Sequence, residues 1–236
     1  KADFRNVAST KLCTTLENSY GVKISTVEHL LAAIYISGID NVIIEVNNFE
    51  IPIMDGSAKD FLEKIKKQKL KTLKSKRKYL KILDQINLID GTKEIEITPN
   101  NSFEIDFQLN YKNQIIGKQR NLVDFERGLT EEIYSSRTFC LLEDIEKIKK
   151  SGLAKGGSLE NAVVVDVKKI LNEGGLRNKK EFVNHKILDL VGDFVLSGFR
   201  ILGKVNCYQG GHLLTNMFLR KFLNESKSEK YFRIEK

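Results

Sequence analysis

Apolar and polar residues alternate in several short stretches of this chain and recur every three to four positions in others, so strands and helices are mixed along it. Leu80-Lys81-Ile82, Glu94-Ile95-Glu96-Ile97 and Phe103-Glu104-Ile105-Asp106-Phe107-Gln108-Leu109 have the two-residue period of half-buried antiparallel strands. Asp90-Gly91 and Asn100-Asn101 supply the turns between them. Arg120 to Phe125 and Ile201 to Cys207 are further strand candidates, as are Val22 to Ile24 and Val42 to Val46. Ala162 to Asp166, almost wholly apolar, reads as a buried strand. Helices are expected over Ser25–Ile36, Ala58–Lys69, Leu141–Lys150, Glu181–Phe199 and Leu213–Leu223. Ser25-x-x-Glu28 has the form of a capping box, which gives that glutamate a purely structural use.

Helix and strand in both halves, with mostly antiparallel pairing, make this an α+β protein of two domains, each a mostly antiparallel sheet packed with helices. Residues 1–72 form the first domain, 73–78 a basic linker and 79–224 the second domain, with 225–236 a polar, loosely held tail. Ile51 to Ser57 reads as a turn-bearing loop, and Gly210-Gly211-His212 as a flexible elbow.

Charge changes this picture only locally. The formal charge of +8, from 39 Lys+Arg against 31 Asp+Glu, is concentrated between Lys64 and Lys81. No aromatic residue interleaves with those charges before Tyr79 and no nucleic-acid module accompanies them, so a solvated connector is expected, with no nucleic-acid partner. No apolar run reaches the ~18 residues of a membrane span, and no signal-peptide pattern opens the chain. Cys13, Cys140 and Cys207 are isolated, which suggests three small core residues in a reducing cytoplasm rather than disulfides or a thiolate metal site.

The chemistry concentrates in His185-Lys186-Ile187-Leu188-Asp189-Leu190-Val191-Gly192-Asp193. His185, Asp189 and Asp193 recur every fourth residue and share one side of an otherwise apolar helix. Three buried ionisable groups need compensation. A hydrogen-bonded His–Asp pair is one solution, and a metal ion is another. The chain has three histidines, His29, His185 and His212, and each sits in unusual company. His185 and Asp189 supply two zinc donors, and His29 is the natural third, with Glu28 beside it as a base for the attacking water. His212, following two glycines, is placed to protonate a leaving group, and Asp193 to hold that imidazole charged.

These residues lie in a longer series. Ser25-Thr26-Val27-Glu28-His29-Leu30, Ile51-Pro52-Ile53-Met54-Asp55-Gly56-Ser57-Ala58 and Ser136-Arg137-Thr138-Phe139 come first. Gly156-Gly157-Ser158, Leu171-Asn172-Glu173-Gly174-Gly175-Leu176-Arg177, His185 to Asp193 and Gly211-His212 follow. In that order, and over residues 1 to about 224, they resemble the UDP-3-O-acyl-N-acetylglucosamine deacetylase family, the zinc amidases of lipid A synthesis in Gram-negative bacteria. The resemblance implies zinc (Zn2+) held by His29, His185 and Asp189, Glu28 as general base, His212 as general acid and Asp193 orienting His212. It implies that Thr138 stabilises the oxyanion, that Lys186 lies over polar groups of the substrate, and that Phe139 packs on the sugar. Tyr111 stands where the family stacks an aromatic on uracil, and Leu141 to Val165 where it forms an apolar passage for the acyl chain.

The implied substrate is a UDP-linked, 3-O-acylated N-acetylglucosamine, acted on by a cytoplasmic monomer. The family has further residues before the position of Lys1, so the first domain is expected to be incomplete at its start. Asn113-Gln114 replaces a His-Pro, and Gln209 a lysine that contacts the diphosphate. A catalytically impaired homologue or fragment binding a UDP-sugar or other anionic ligand is the alternative, and a zinc amidohydrolase of another N-acyl sugar a third reading.

Overall fold

The computed structural model describes residues 1–236 except 128–129, 153 and 225–227. Three short strands, β1 (Val7–Ser9), β2 (Thr15–Glu17) and β3 (Lys23–Ile24), pair antiparallel at the start of the chain. Helices α1 (Glu28–Ile36) and α2 (Lys59–Lys66) follow them. The alternating region gives β4 (Tyr79–Ile82), β5 (Ile86–Asp90), β6 (Lys93–Pro99), β7 (Phe103–Asn110) and β8 (Lys118–Asp124). Then come α3 (Glu131–Tyr134), β9 (Phe139–Leu141), α4 (Ile145–Lys150), β10 (Val163–Val165) and α5 (Glu181–Val195). The chain closes with β11 (Arg200–Tyr208), α6 (His212–Asn224), α7 (Ser228–Tyr231) and β12 (Phe232–Glu235).

The strand β11 is the hub of the large sheet. It pairs antiparallel with β6 and parallel with β7, bringing Ile97, Val205 and Ile105 into one row of fully buried side chains. An aromatic chain crosses from the sheet to the helices: the Phe103–Phe194 centroids are 6.0 Å apart, Phe194–Phe218 6.2 Å and Phe218–Phe222 5.7 Å. Each such buried side chain contributes about 1.5–3 kcal/mol through the hydrophobic effect. The class is α+β with antiparallel pairing predominating, as expected. No helix among the described residues is long and apolar enough to cross a membrane.

Placement of the site depends on the crossing of α1 over α5. Ala32 and Ala33 are fully buried there, and Gly192 lies directly beneath the backbone of Glu28. A Cβ at position 192 would sit 2.0 Å from the Glu28 carbonyl oxygen, so only glycine lets the two helices approach this closely. That approach brings Glu28 and His29 against the polar stripe of α5.

Several local expectations are corrected by tertiary contacts. Helix α1 begins at Glu28 rather than Ser25, and the capping box is not formed. Ser25 instead exchanges backbone hydrogen bonds with Phe49 and Ile51, and its hydroxyl meets that of Thr15 at 3.0 Å. Val42 to Val46 form no strand: residues 41–50 are all exposed, and no described strand pairs with them. Helix α2 stops at Lys66, where the lysine-rich run loses its apolar face, and Leu141 to Lys150 divides into the end of β9, a short 3-10 turn and α4. The long helix ends at Val195, with Gly198 at φ 81 turning the chain into β11. Of the three cysteines expected in the core only Cys207 is buried, while Cys13 and Cys140 are half-buried. The polar tail is not loose throughout. Phe232–Glu235 pairs antiparallel with β4, and Phe232 packs on Phe222 with centroids 5.0 Å apart.

Candidate active site

Helix α5 carries four ionisable residues one turn apart, Glu181, His185, Asp189 and Asp193, all at most 4 % exposed. Burying such groups is costly unless each finds partners. Glu181 is fully served: it accepts hydrogen bonds from Arg137 N, Nε and Nη2 and from Arg177 N. Asp193 accepts from the Thr14 hydroxyl on one oxygen and from His212 Nδ1 on the other, both at 2.7 Å. Asp189 is served on one side only. Lys186 Nζ donates to its Oδ2 at 2.7 Å, while Oδ1 is buried with no hydrogen-bond partner among the described residues.

That lone oxygen faces two imidazoles. His29 Nε2 and His185 Nε2 each lie 3.4 Å from Asp189 Oδ1 without forming a hydrogen bond to it, and the three donor atoms fall within 4.8 Å of one another. His185 Nδ1 lies 3.1 Å from the Ser136 carbonyl, which can only accept, so the proton sits on Nδ1 and Nε2 presents a lone pair. Burial lowers the pKa of His185 to about 3, which keeps this ring neutral. A lone pair facing a carboxylate oxygen is repulsive unless a cation lies between them. The donor set and the orphaned oxygen therefore fit a metal ion.

Beside the donors stand Glu28 and His212. The Glu28 carboxylate accepts from Thr14 N at 3.0 Å, and its other oxygen lies 3.8 Å from His212 Nε2. Burial raises the Glu28 pKa above the usual carboxylate range, against the nearby imidazoles. For His212 burial opposes the charge, but Asp193 at hydrogen-bonding distance, helped by Asp189 and Glu28, lifts the pKa to about 10. With Nδ1–H given to Asp193, the Nε2 proton points toward Glu28 and the donor cluster.

Of the remaining sequence candidates, Lys186 and Phe139 touch this cluster directly. Lys186 packs its ammonium 5.8 Å from the centroid of the Phe139 ring, and Phe139 meets His185 at 6.3 Å. Tyr111 is half-buried against Phe139, with centroids 5.9 Å apart. Thr138 is held by its backbone between Gly56 O and Val163 N, each bond 2.7 Å, next to the segment that orients His185. The Gln209 amide donates to Asn110 O. Sequence reasoning missed Thr14 altogether. It lies 179 residues from Asp193 and in a tract with no readable periodicity, so no local signal could have found it.

A family model described as LpxC: UDP-3-O-acyl N-acetylglycosamine deacetylase matches residues 1–224. The UDP-3-O-acyl-N-acetylglucosamine deacetylase of Pasteurella multocida is 46% identical over 225 residues, covering 94% of this chain and 74% of the relative. The proteins of that name from Photobacterium profundum and Aliivibrio fischeri are each 43% identical, over 230 and 237 residues, 96% and 99% of this chain and 76% and 78% of the relatives.

Proposed function

The chain belongs to the UDP-3-O-acyl N-acetylglycosamine deacetylase family, and on that premise we propose that it hydrolyses the acetamide of a UDP-linked, 3-O-acylated N-acetylglucosamine, releasing acetate in lipid A synthesis. The observation that carries the reading is Asp189 Oδ1, buried between two imidazole nitrogens without a hydrogen bond from any described residue, with an acid–base pair alongside. His29, His185 and Asp189 would hold zinc, for which imidazole and carboxylate are ordinary donors and three protein ligands leave a position open. When bound, zinc supplies a positive charge that acidifies water and polarises a carbonyl.

Glu28, made more basic by burial, takes a proton from water as the water oxygen attacks the acetyl carbon. The Thr138 hydroxyl donates to the carbonyl oxygen as that atom gains negative charge. His212, charged against Asp193, gives its Nε2 proton to the amide nitrogen while the C–N bond breaks, and that bond's electron pair leaves with the amine. Lys186 fixes the outer oxygen of Asp189 and meets polar groups of the substrate. Phe139 packs on the sugar, Tyr111 on uracil, and the segment from Leu141 to Val165 receives the acyl chain.

The same reading divides the chain into a first unit over 1–72 and a second from 79, joined by the linker 73–78, in a cytoplasmic monomer. The pairing of β12 with β4 supports assigning the last strand to the second unit.

Acetate release from the UDP-linked substrate tests the proposal. Release should stop after dialysis against a chelator and return with stoichiometric zinc. Release indifferent to chelation would sink the zinc assignment. Substrate bound without release, zinc being present, would favour an impaired binding homologue, which the engagement of Gln209 with Asn110 makes the second reading.

A further inference from the structure

Glu28 and Asp193 come from different helices, and a single residue outside both helices bonds each of them. Thr14, 1 % exposed, donates its backbone N–H to Glu28 Oε2 at 3.0 Å and its hydroxyl to Asp193 Oδ1 at 2.7 Å. Its carbonyl also accepts from Val27 N, the residue preceding α1. All three polar groups of Thr14 are thereby spent on the elements that carry the base and the acid pair.

The backbone is forced to allow this. Leu12 at φ 66 and Thr26 at φ 60 are both left-handed, a costly conformation for residues with a side chain, and costliest for β-branched Thr26. Each stands two residues before a member of the contact, Leu12 before Thr14 and Thr26 before Glu28.

We propose that Thr14 is a positioning residue for the reaction, one that sets the orientation of Glu28 and of the Asp193–His212 pair relative to each other. The inference rests on the roles given above to Glu28, Asp193 and His212. Asp193 Oδ2 is held by His212 Nδ1, so the direction of the carboxylate depends on what fixes Oδ1, and Thr14 is its hydrogen-bond partner. Without that hydroxyl the carboxylate can rotate, and His212 loses both its aim and part of its stabilisation as a cation. The bond to Glu28 comes from the backbone and survives any side-chain change, so substitution at 14 isolates the Asp193 branch. A hydrogen bond to a charged group corresponds to roughly a ten- to hundredfold effect when lost.

The test is steady-state kinetics on the full chain loaded with zinc, comparing wild type with Thr14→Val, Thr14→Ser and Thr14→Ala. Thr14→Val keeps the shape without the hydroxyl, and its kcat should fall about ten- to hundredfold with KM and zinc content unchanged. Thr14→Ser keeps the hydroxyl and should stay within about threefold of wild type. Thr14→Ala should follow Thr14→Val, and it stands in should the valine variant not fold. In an Asp193→Asn background, Thr14→Val should cost far less than in wild type, because both act on one branch. The low-field NMR signal of the His212–Asp193 proton should persist in Thr14→Ser and shift or broaden in Thr14→Val. Valine or alanine variants with wild-type kcat overturn the proposal, as does a serine variant as slow as the valine one, which would make the role one of packing. A wild-type chain that releases no acetate would instead sink the functional reading on which this rests, and the inference with it.

Discussion

Glu181 and Asp189 stand two turns apart on the same buried face of α5, and their surroundings differ in kind. Glu181 receives four hydrogen bonds, three of them from Arg137, so its charge is neutralised inside the protein. Among the described residues Asp189 has one donor, Lys186, on its outer oxygen and none on the inner one. Both carboxylates are buried and so must offset a desolvation cost. The first arrangement is complete as folded and holds the segment around Arg137 onto α5. The second leaves one oxygen facing two imidazoles, a donor set that fits a cation accepting nitrogen and oxygen. A half-compensated buried charge beside a fully compensated one marks where to look for function.

Removing a donor from the open cluster should give the largest effect. His185→Ala is expected to lose stoichiometric zinc and at least ~10³ of the deacetylation rate while folding nearly as well as wild type. Metal analysis alongside kinetics checks this. Zinc should raise the melting midpoint of the wild type and not of the variant. Zinc bound equally by both would remove the distinction between the two carboxylates.

The closed cluster predicts the opposite split. Arg137→Met leaves the Glu181 carboxylate buried without its main partner and should cost about 3–5 kcal/mol in urea unfolding. Zinc per folded molecule should be retained. A variant as stable as wild type would show that Arg137 is not what offsets the charge of Glu181.

Gly192→Ala tests the crossing that brings α1 to both clusters. The added methyl meets backbone rather than a movable side chain, so about 1–3 kcal/mol of stability should be lost, with kcat falling as Glu28 is displaced. Unchanged kcat would mean that the approach of the helices does not set the site.

The smallest effect belongs to an ion pair whose arginine is exposed and whose aspartate is buried. The Arg120 guanidinium bonds both oxygens of Asp106 and holds its carboxyl below the usual range, but the arginine itself lies in solvent. A carboxyl with a depressed pKa stabilises the fold above its unfolded value of about 3.9, and that contribution is lost as the pH falls on through its lower folded value. Arg120→Met should therefore differ from wild type slightly at neutral pH and not at all in acid. A gap that widened in acid would contradict the assignment.

The elements were largely legible in the chain. The strands β4, β6, β7 and β11 follow the alternation of their sequences, and α5 and α6 follow an apolar face. So was the grouping of His29, His185 and Asp189, which the fold brings together, since His185 and Asp189 are one turn apart. What misled was Ser25-x-x-Glu28, where a local capping pattern was overridden because Thr14 offers Glu28 a backbone N–H in the interior. Val42 to Val46 and the final strand misled in the same way, because a strand requires a neighbour and the neighbour is not encoded nearby.

By itself, then, the sequence determined the periodic elements, the family motifs and which ionisable residues lie on the buried face of α5, since these depend on spacings of two to four residues. Only the tertiary structure decided which of those charges are satisfied. Arg137 reaches Glu181 across 44 residues and Thr14 reaches Asp193 across 179, while no described residue gives Asp189 Oδ1 a hydrogen bond. Whether a buried charge is a structural tie or an open site depends on partners that only folding brings within 3 Å.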